Sequence, residues 1–218
     1  MDLGEPLRSH FFNRHTVKVA CGILGKILSV RSNGKLYFAR IVETEAYRSN
    51  DEASHSSKGL TSRTQVMFGP AGHVYIYFIY GNHEMLNFVT EKEGNPGAVL
   101  IRAVEPLSGT NQMIKNRGFE EKGLSVDLSN GPGKLTMALE ITRKMNGLSV
   151  DGETVKIYRG CKPKEPIFVS PRVGIREATD RNWRFFLKGS PYVSRVPENK
   201  NAKALSEIGI RSLVGAYV

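Results

Sequence analysis

The chain has few of the residues that build metal centres and disulfide frameworks. Two of its 218 residues are cysteines, Cys21 and Cys161, and they do not form a CxxC pair. None of the five histidines belongs to an HExxH-type ligand pattern. We therefore expect no metal and no cofactor, and the cysteine usage is typical of a reducing compartment.

Long apolar runs are also missing. The longest, Val74–Tyr80, is far too short to span a bilayer, and its tyrosines favour a strand. The first six residues are acidic and contain no apolar segment, so we expect no secretory signal. The sequence therefore predicts a protein that is neither exported nor embedded in a membrane.

Positive charge is what the chain has in excess. Lys and Arg number 31 against 21 Asp and Glu, which gives a net charge of +10 and a pI of about 9.7. Residues 1–109 carry +2 of this charge and residues 110–218 carry +8. Such a balance favours a polyanionic partner, nucleic acid before an anionic membrane surface, although a merely basic soluble protein fits equally well.

Hydrophobic patterning predicts a mixed α+β fold with mostly antiparallel strands. Two short turns, around Asn33-Gly34 and Gly81-Asn82, separate apolar runs and indicate β-hairpins. Helices are expected at 16–24 and 133–143. We expect one compact domain over residues 1–196 and a loosely packed C-terminal tail over 197–218. Predicted strands cover 25–30, 35–47, 74–80, 84–90, 97–104, 153–158, 167–169 and 183–187.

Charged residues interrupt two of these apolar strands. Alternation puts Glu43 and Glu45 on one face of their strand, and Arg102 lies in the middle of another strand. Because unpaired buried charges are costly, we expect Arg102 to face Glu45 or Glu43 across a shared cavity. The glutamate could then act as a general base on water. An ordinary ion pair at a sheet edge, or a sugar hydrolase with a Glu43/Glu45 acid–base pair, also fits.

The tyrosine-rich hairpin offers a second candidate feature. Tyr75 and Tyr77 share one strand face, and Tyr80 lies at the tip, where it could wedge between bases or simply pack. Asn87 on the returning strand could read a base edge or bond to the backbone. His55 could be a catalytic acid, a base stacker or a capped loop residue.

Two glycine-containing loops in the basic half complete the candidates. Residues 129–135, Ser-Asn-Gly-Pro-Gly-Lys-Leu, combine a helix start with Lys134 and favour a phosphate, but they lack Walker spacing. Residues 172–175, Arg-Val-Gly-Ile, form a second basic loop.

Taken in order, these segments resemble the alkyladenine (3-methyladenine) DNA glycosylase family. The resemblance runs from about residue 11 to residue 195. No single motif decides it, but their joint order is highly specific. The matching segments are 40–47, 51–55, 67–70, 75–81, Asn87, 100–106, 130–135, 172–174 and 189–194.

The resemblance implies a role for each matching residue. Glu45 corresponds to the general base that activates water, and Arg102 and the Val173 carbonyl would help to hold that water. Tyr47, His55 and Tyr77 would stack on a flipped base, Asn87 would exclude the 2-amino group of guanine, and Tyr80 would be the intercalating wedge. Positions resembling DNA-backbone contacts are Thr61, Arg63, Gly131, Lys134, Arg143 and Gly174.

The expected function is a monofunctional DNA glycosylase of base excision repair that removes 3-methyladenine-, hypoxanthine- or ethenoadenine-type purines. The expected fold is a curved, mostly antiparallel sheet with surrounding helices and a protruding hairpin. Its partner would be damaged double-stranded DNA, and the protein would be a monomer in a bacterial-type cytoplasm, or in the nucleus if eukaryotic. Asn82 and Glu84 depart from the family pattern beside the wedge, where a carboxylate would repel phosphates. The alternative is a non-catalytic nucleic-acid-binding module.

Overall fold

The chain is built around one antiparallel sheet. In the computed structural model, residues 2–79, 81, 83–121 and 123–215 are described. Nine strands in these ranges pair antiparallel, with the path β3-β4-β5-β2-β8-β7-β9 and with β1 joining β2 to β6. The strands are β1 (Ile27–Ser32), β2 (Lys35–Arg48), β3 (Val74–Ile79), β4 (His83–Thr90), β5 (Gly97–Ser108), β6 (Val155–Tyr158), β7 (Ile167–Ser170), β8 (Arg184–Leu187) and β9 (Lys203–Ala204).

Strand β2 is the centre of the sheet, and it changes neighbours along its length. Its first half pairs with β1, and Glu43 to Glu45 pair with β8 instead, while β5 pairs with the other edge from Phe38 to Arg48. The pairing with β5 shifts register on both sides of Glu43. Such bulges are common next to active sites because they redirect side chains. Glu43 and Glu45 therefore lie where three strands meet.

The hairpin turns follow the predicted chemistry. Asn33 and Gly34 both have positive φ, 47° and 74°, which matches the two-residue turn that right-twisted strands prefer. The pairing of Ser32 with Lys35 closes this hairpin. The β3–β4 hairpin is also confirmed by the pairing of Ile79 with His83. Tyr80 and Asn82, in its turn, lie outside the described residues.

Short helices pack on the sheet. Their bounds are α1 (Ser9–Phe12), α2 (Thr16–Gly22), α3 (Thr110–Asn116), α4 (Pro132–Ala138), α5 (Leu205–Ile208) and α6 (Ile210–Gly215). Helix α2 begins where the His15 side chain accepts the Val17 N–H, at 3.3 Å, and it lies against β2, where Thr44 Oγ1 donates to the Ala20 carbonyl at 2.9 Å. The opposite face of β2 is thereby left to Glu43 and Glu45.

The predicted helix over 133–143 is wrong at its C-terminal end. Helix α4 begins at Pro132 and stops at Ala138, and Glu140 follows with φ +53°. This left-handed turn directs Ile141 into the core, and a separate 3₁₀ turn covers Arg143–Met145. Burial of Ile141 is incompatible with a helix that continues in a straight line, so tertiary packing overrides the local pattern.

Residues 197–215 contact the main sheet. Strand β9 pairs with β7, Leu213 of α6 lies in the main core, and its carbonyl accepts the Trp183 indole N–H at 3.4 Å. A 3₁₀ turn over Pro197–Asn201 precedes them. The division of the chain near residue 197 stays a prediction.

The predicted α+β class with a mostly antiparallel sheet is confirmed. Strands β1 to β8 correspond to the eight predicted runs, within a few residues at each end. Sequence patterning missed α1, α3, β9, α5 and α6, because each is short and lacks a clear period. Over the described ranges, no helix has the length and apolar character needed to cross a membrane.

Candidate active site

A cavity of about 350 Å³ opens between the sheet and the loop after β7. Its wall combines aromatic rings, apolar side chains and a few polar groups, which is typical of a small-molecule binding site. The described lining residues are Tyr47, Ala53, Ser54, His55, Met67, Tyr75, Tyr77, Ile79, Met85, Asn87, Ala98, Leu100, Arg102, Pro132, Val173, Gly174 and Ile175.

Glu45 lies directly behind this wall, with 0% of its surface exposed. Its Oε1 accepts the Val173 main-chain N–H at 2.8 Å and lies 3.4 Å from Arg102 Nη1. Its Oε2 accepts the Tyr47 hydroxyl at 2.8 Å. The three partners of the carboxylate all line the cavity, so the carboxylate is buried, hydrogen-bonded and adjacent to the ligand space.

Tyr47 acts only as a donor in this arrangement. Burial, followed by the negative charge of Glu45, raises the pKa of Tyr47 well above its usual value. The phenol is therefore protonated at neutral pH, and its proton points to Glu45 Oε2. Two hydrogen-bond donors and one cation thus surround the Glu45 carboxylate.

Glu43 belongs to a second, deeper network. Its Oε1 accepts from Arg184 Nε at 2.6 Å and Arg102 Nε at 3.1 Å, and its Oε2 accepts the Ser194 N–H at 2.8 Å. Burial opposes its ionisation, but Arg184 and Arg102 hold the pKa of Glu43 below its ordinary value. A general acid needs a raised pKa, so this geometry argues against an acid–base pair made of Glu43 and Glu45.

Arg102 connects the two carboxylates. It lies in β5 with its Nε on Glu43 and its Nη1 on Glu45. Burial opposes its charge, but the two carboxylates raise the pKa of Arg102 above its ordinary value. The sequence predicts that Arg102 faces one of the two glutamates, and in the structure it contacts both.

Three aromatic rings form one side of the cavity. The His55 and Tyr77 ring centroids are 4.4 Å apart in an edge-to-face arrangement, and Tyr75 lies 5.6 Å from Tyr77. His55 Nε2 lies 3.3 Å from Arg63 Nη2, and His55 Nδ1 lies 3.1 Å from the Tyr75 hydroxyl. Because a guanidinium can only donate, Nε2 accepts and the neutral ring carries its proton on Nδ1. Burial, and then Arg63, lowers the pKa of His55 to about 4.

Asn87 faces the same space from β4. Its amide nitrogen donates to the carbonyls of Tyr75 and Met85, both at 3.1 Å, and the residue is buried. These two bonds fix the orientation of the amide. Asn87 therefore lines the cavity with an amide held in one orientation.

Comparison with known proteins identifies the family. A family model described as methylpurine-DNA glycosylase (MPG) matches residues 10–191 of this chain. This chain belongs to the methylpurine-DNA glycosylase family. The expected resemblance is therefore confirmed, and the protein is a DNA glycosylase, an enzyme of DNA repair.

Bacterial and archaeal relatives support this assignment along nearly the full chain. A protein of Prosthecochloris aestuarii is 44% identical over 94% of this chain and 100% of its own length. Proteins of Chlorobium phaeobacteroides and Methanoculleus marisnigri are each 46% identical over 87% of this chain, and over 96% and 98% of their own lengths. Each carries the name "Putative 3-methyladenine DNA glycosylase".

The glycosylase brings most of its predicted pocket residues together. Tyr47, His55, Tyr77, Asn87 and the predicted catalytic residues Arg102 and Val173 line one cavity, and Glu45 bonds to three of them. For Val173 the described contact is its N–H to Glu45, whereas the sequence analysis gave its carbonyl a role. The predicted wedge, Tyr80, lies outside the described residues.

The predicted DNA-backbone residues lie outside this lining, except Gly174. Gly174 has φ +73°, so it turns the chain immediately after Val173 in a conformation that favours glycine. Thr61 and Arg63 are exposed, and Arg63 contacts His55 and lies over the Tyr77 ring. Gly131 precedes α4 as its N-terminal flanking residue.

The two remaining predicted phosphate contacts, Lys134 and Arg143, already have protein partners. Lys134 Nζ donates to Asn130 Oδ1 at 2.7 Å and lies 3.3 Å from Asp127 Oδ1. Arg143 Nε donates to Glu84 Oε1 at 3.0 Å, and its guanidinium covers the Phe78 ring at 4.6 Å. Glu84, which the sequence analysis expected to repel phosphates, is thus paired within the chain.

Sequence reasoning missed the residues that support the site. Arg172 was assigned to a basic loop, but its side chain is buried, and Arg184 was assigned only to a strand. Their partners lie far away in the sequence and gave no local signal. The supporting residues that were missed are Asp51, Ser170, Arg172, Arg184, Ser194 and Asn199.

Among the described residues, no three His, Cys, Asp or Glu side chains are grouped to hold a metal ion.

Proposed function

We propose that the protein excises alkylated or deaminated purines of the 3-methyladenine, hypoxanthine and ethenoadenine type from duplex DNA. The observation that carries this proposal is the geometry of Glu45. It is a fully buried carboxylate with donors on both oxygens, and it lies directly behind an aromatic cavity. The names of the relatives, quoted above, point to the same class of substrate.

The proposed reaction is a hydrolysis with water as the nucleophile. The glycosidic bond between the base nitrogen and C1′ breaks, and its electron pair leaves with the base. The water oxygen bonds to C1′, and Glu45 takes the water proton. An ionised carboxylate beside C1′ also stabilises the positive charge that develops on the sugar. No lysine is found among the described cavity residues, which supports water rather than an amine as the nucleophile.

Selection would begin with base flipping. A damaged pair costs less to open, so a lesion reaches the cavity more often than a normal base does. Tyr47, His55 and Tyr77 would stack on the extruded base, and the fixed amide of Asn87 would crowd out the 2-amino group of guanine. The Tyr80 wedge, the monomeric state and the cytoplasmic location without membrane contact stay predictions.

Purines alkylated at N3 should be the easiest substrates. Such a base is already cationic, so it leaves without prior protonation. Hypoxanthine and ethenoadenine are neutral and leave less readily, and His55 is a poor acid for them because its pKa of about 4 keeps the ring neutral. The proposal therefore ranks the cationic lesions first.

A single substitution tests the proposed base. In Glu45→Gln the amide cannot take the proton of water, and we expect base release to fall by about 10²- to 10⁴-fold. Release is measured as alkali-labile sites in a duplex with one ethenoadenine, and binding is measured by the fluorescence of that base. Binding should be retained.

The matched control is Glu105→Gln, on the neighbouring strand β5 and paired with Arg40. This variant should release the base at the wild-type rate. Undiminished release by Glu45→Gln would remove Glu45 from the mechanism. A wild-type protein that binds the duplex and releases nothing would favour the non-catalytic binding module.

A further inference from the structure

One buried ion pair has no part in the reaction as described above. Both Arg172 and Asp51 are buried, with 2% and 1% of their surfaces exposed. Arg172 holds Asp51 through both terminal nitrogens: Nη1 donates to Oδ2, and Nη2 donates to Oδ1 at 2.8 Å. The charges are far apart in the sequence, so their pairing fixes one part of the chain against another.

Arg172 immediately precedes Val173, whose N–H reaches Glu45. This stretch of chain lies between β7 and β8 and contains no helix or strand of its own. Arg172 fastens it to β2, because Nη1 also donates to the Ala46 carbonyl at 3.0 Å. The anchoring point on β2 is therefore the residue next to Glu45.

The ring of Tyr47 is held by the same guanidinium. Arg172 Cζ lies 4.6 Å from the centroid of Tyr47, whose hydroxyl donates to the other oxygen of Glu45. Stacking of this kind is attractive and restricts the ring. Arg172 thus contacts or adjoins both hydrogen-bond donors of the carboxylate, the Val173 amide and the Tyr47 phenol, without touching the carboxylate itself.

Asp51 has a corresponding effect on the opposite wall. Its Oδ1 accepts the Ala53 N–H at 3.3 Å, and its carbonyl accepts the Ser54 N–H at 2.8 Å. These bonds order the chain immediately before His55, which forms the aromatic wall. Asp51 also lies 3.7 Å from Arg181 Nη1. One carboxylate therefore joins the His55 segment to the Val173 loop.

Stability alone does not account for such a pair. Burial of two charges costs several kcal/mol before any interaction is gained, and apolar substitutes are often as stable. Burial also opposes the charge on Arg172, and its bonds with Asp51 outweigh that effect and raise its pKa. What a bidentate pair supplies is fixed geometry, since two parallel bonds set both distance and orientation.

We propose that Asp51 and Arg172 are positioning residues that hold the Val173 N–H and the Tyr47 phenol against Glu45 and align the His55 wall with them. This inference rests on the proposed function. It predicts that loosening the pair slows the chemical step, because a displacement of about 1 Å in a catalytic group can cost about 10²-fold. Lesion recognition should be much less affected.

The test compares Arg172→Lys and Asp51→Asn with wild type under single-turnover conditions. Lysine keeps the charge but loses the bidentate geometry, and asparagine keeps the shape but loses the charge. We expect base release from an ethenoadenine duplex to fall by about 10- to 100-fold, while the affinity measured by ethenoadenine fluorescence changes less than about threefold. Circular dichroism at the assay temperature establishes the folded fraction.

The split between rate and affinity separates positioning from a general loss of structure. Under single-turnover conditions with the protein in excess, misplaced donors lower the rate constant of the bound complex and leave its affinity nearly unchanged. Partial unfolding would lower the fraction of protein that binds the duplex and leave the rate constant of the bound complex in place.

Arg40→Lys is the matched control, since Arg40 forms a similar two-nitrogen pair with Glu165. It should leave the rate and the affinity unchanged. Wild-type single-turnover rates in both Arg172→Lys and Asp51→Asn would overturn the positioning role and leave the proposed function intact. Absence of release by the wild-type protein would overturn the proposed function, and this inference with it.

Discussion

This glycosylase contains two kinds of ion pair, a buried network in the core and pairs at the surface. The core network consists of Glu43, Arg102 and Arg184, in which Glu43 and Arg184 have fully buried side chains. The surface pairs are Glu84–Arg143 and Asp127–Lys134, in which Arg143 has 64% of its side chain exposed. Both groups combine carboxylates with cations at hydrogen-bond distance, so their difference is in burial and in the number of partners.

Burial and the number of partners determine which ion pairs must stay intact and which can exchange a partner. In the core network every carboxylate oxygen of Glu43 has a donor, and Arg184 also binds Ser170 and Asn199. Removal of one member leaves a buried charge with neither a partner nor water, which strongly destabilises the folded protein. A surface pair contributes little, because water screens it and replaces it. Arg143 has 64% of its side chain exposed, so we expect it to exchange Glu84 for a phosphate at a lower cost than any break in the core network.

The largest effect is expected when the core network is broken. Glu43→Gln leaves Arg184 and Arg102 with less compensation in the core, and we expect the free energy of unfolding to fall by about 3–5 kcal/mol. Chemical denaturation of the variant and the wild type at pH 7 measures this change. The control Glu153→Gln, which removes the exposed pair with Lys156, should leave the midpoint nearly unchanged.

Acidic pH should remove the contribution of Glu43 to the stability of the fold. The pKa of Glu43 is lowered in the folded protein, so its stabilisation is present above the unfolded value, near 4.5, and is lost as the pH falls through the folded value. Wild type and Glu43→Gln should therefore converge in stability at acidic pH. Equal stability of the two proteins at pH 7 would show that the core network does not stabilise the fold.

The sequence predicted the charged residues of this network better than the contacts between them. Glu43 and Arg102 could be found because a charge in an apolar strand violates the local pattern. Arg172 and Asp51 could not, since both lie in irregular segments where a charged residue is unremarkable. The C-terminal end of α4 could not be predicted either, because burial of Ile141 depends on the sheet beneath it and not on residues near it in the sequence.

The family resemblance predicts the roles of individual residues, whereas the structure shows which residues contact one another. From the residues alone, Tyr77 and His55 could have been packing or stacking groups. Their place on one cavity wall follows from antiparallel pairing of β3 with β4 and from a loop whose position no local pattern encodes. The pairing of Glu84 with Arg143 is of the same kind, since it joins β4 to a 3₁₀ turn across the surface.

A smaller effect is expected when a surface pair is broken. In Glu84→Gln, Arg143 loses its carboxylate partner, and we expect tighter binding to lesion DNA because one more cation is free for a phosphate. The slope of log binding constant against log salt should steepen by about 0.9. Titrations of labelled duplex at several salt concentrations measure both quantities.

Glu165→Gln is the matched control, since it changes the net charge equally but removes one of the two carboxylate partners of Arg40, which was not predicted to contact DNA. If Glu84→Gln and Glu165→Gln gave the same salt slope, only the net charge would matter. In that case Arg143 would not be the cation that Glu84 holds back from DNA.

The smallest effect concerns His55, which joins the buried wall to the exposed Arg63. Its pKa is lowered from 6.5 to about 4 by burial and then by Arg63. Above pH 6.5 the ring is neutral in both states. As the pH falls from 6.5 towards 4 the unfolded chain binds a proton that the folded chain does not, so stability decreases. In His55→Gln the thermal unfolding midpoint should therefore depend less on pH across this window, whereas His10→Gln, at an exposed position of α1, should keep the wild-type dependence. An unchanged dependence in His55→Gln would mean that folding does not lower the pKa of His55, and would remove the reason to exclude the ring as the acid for neutral lesions.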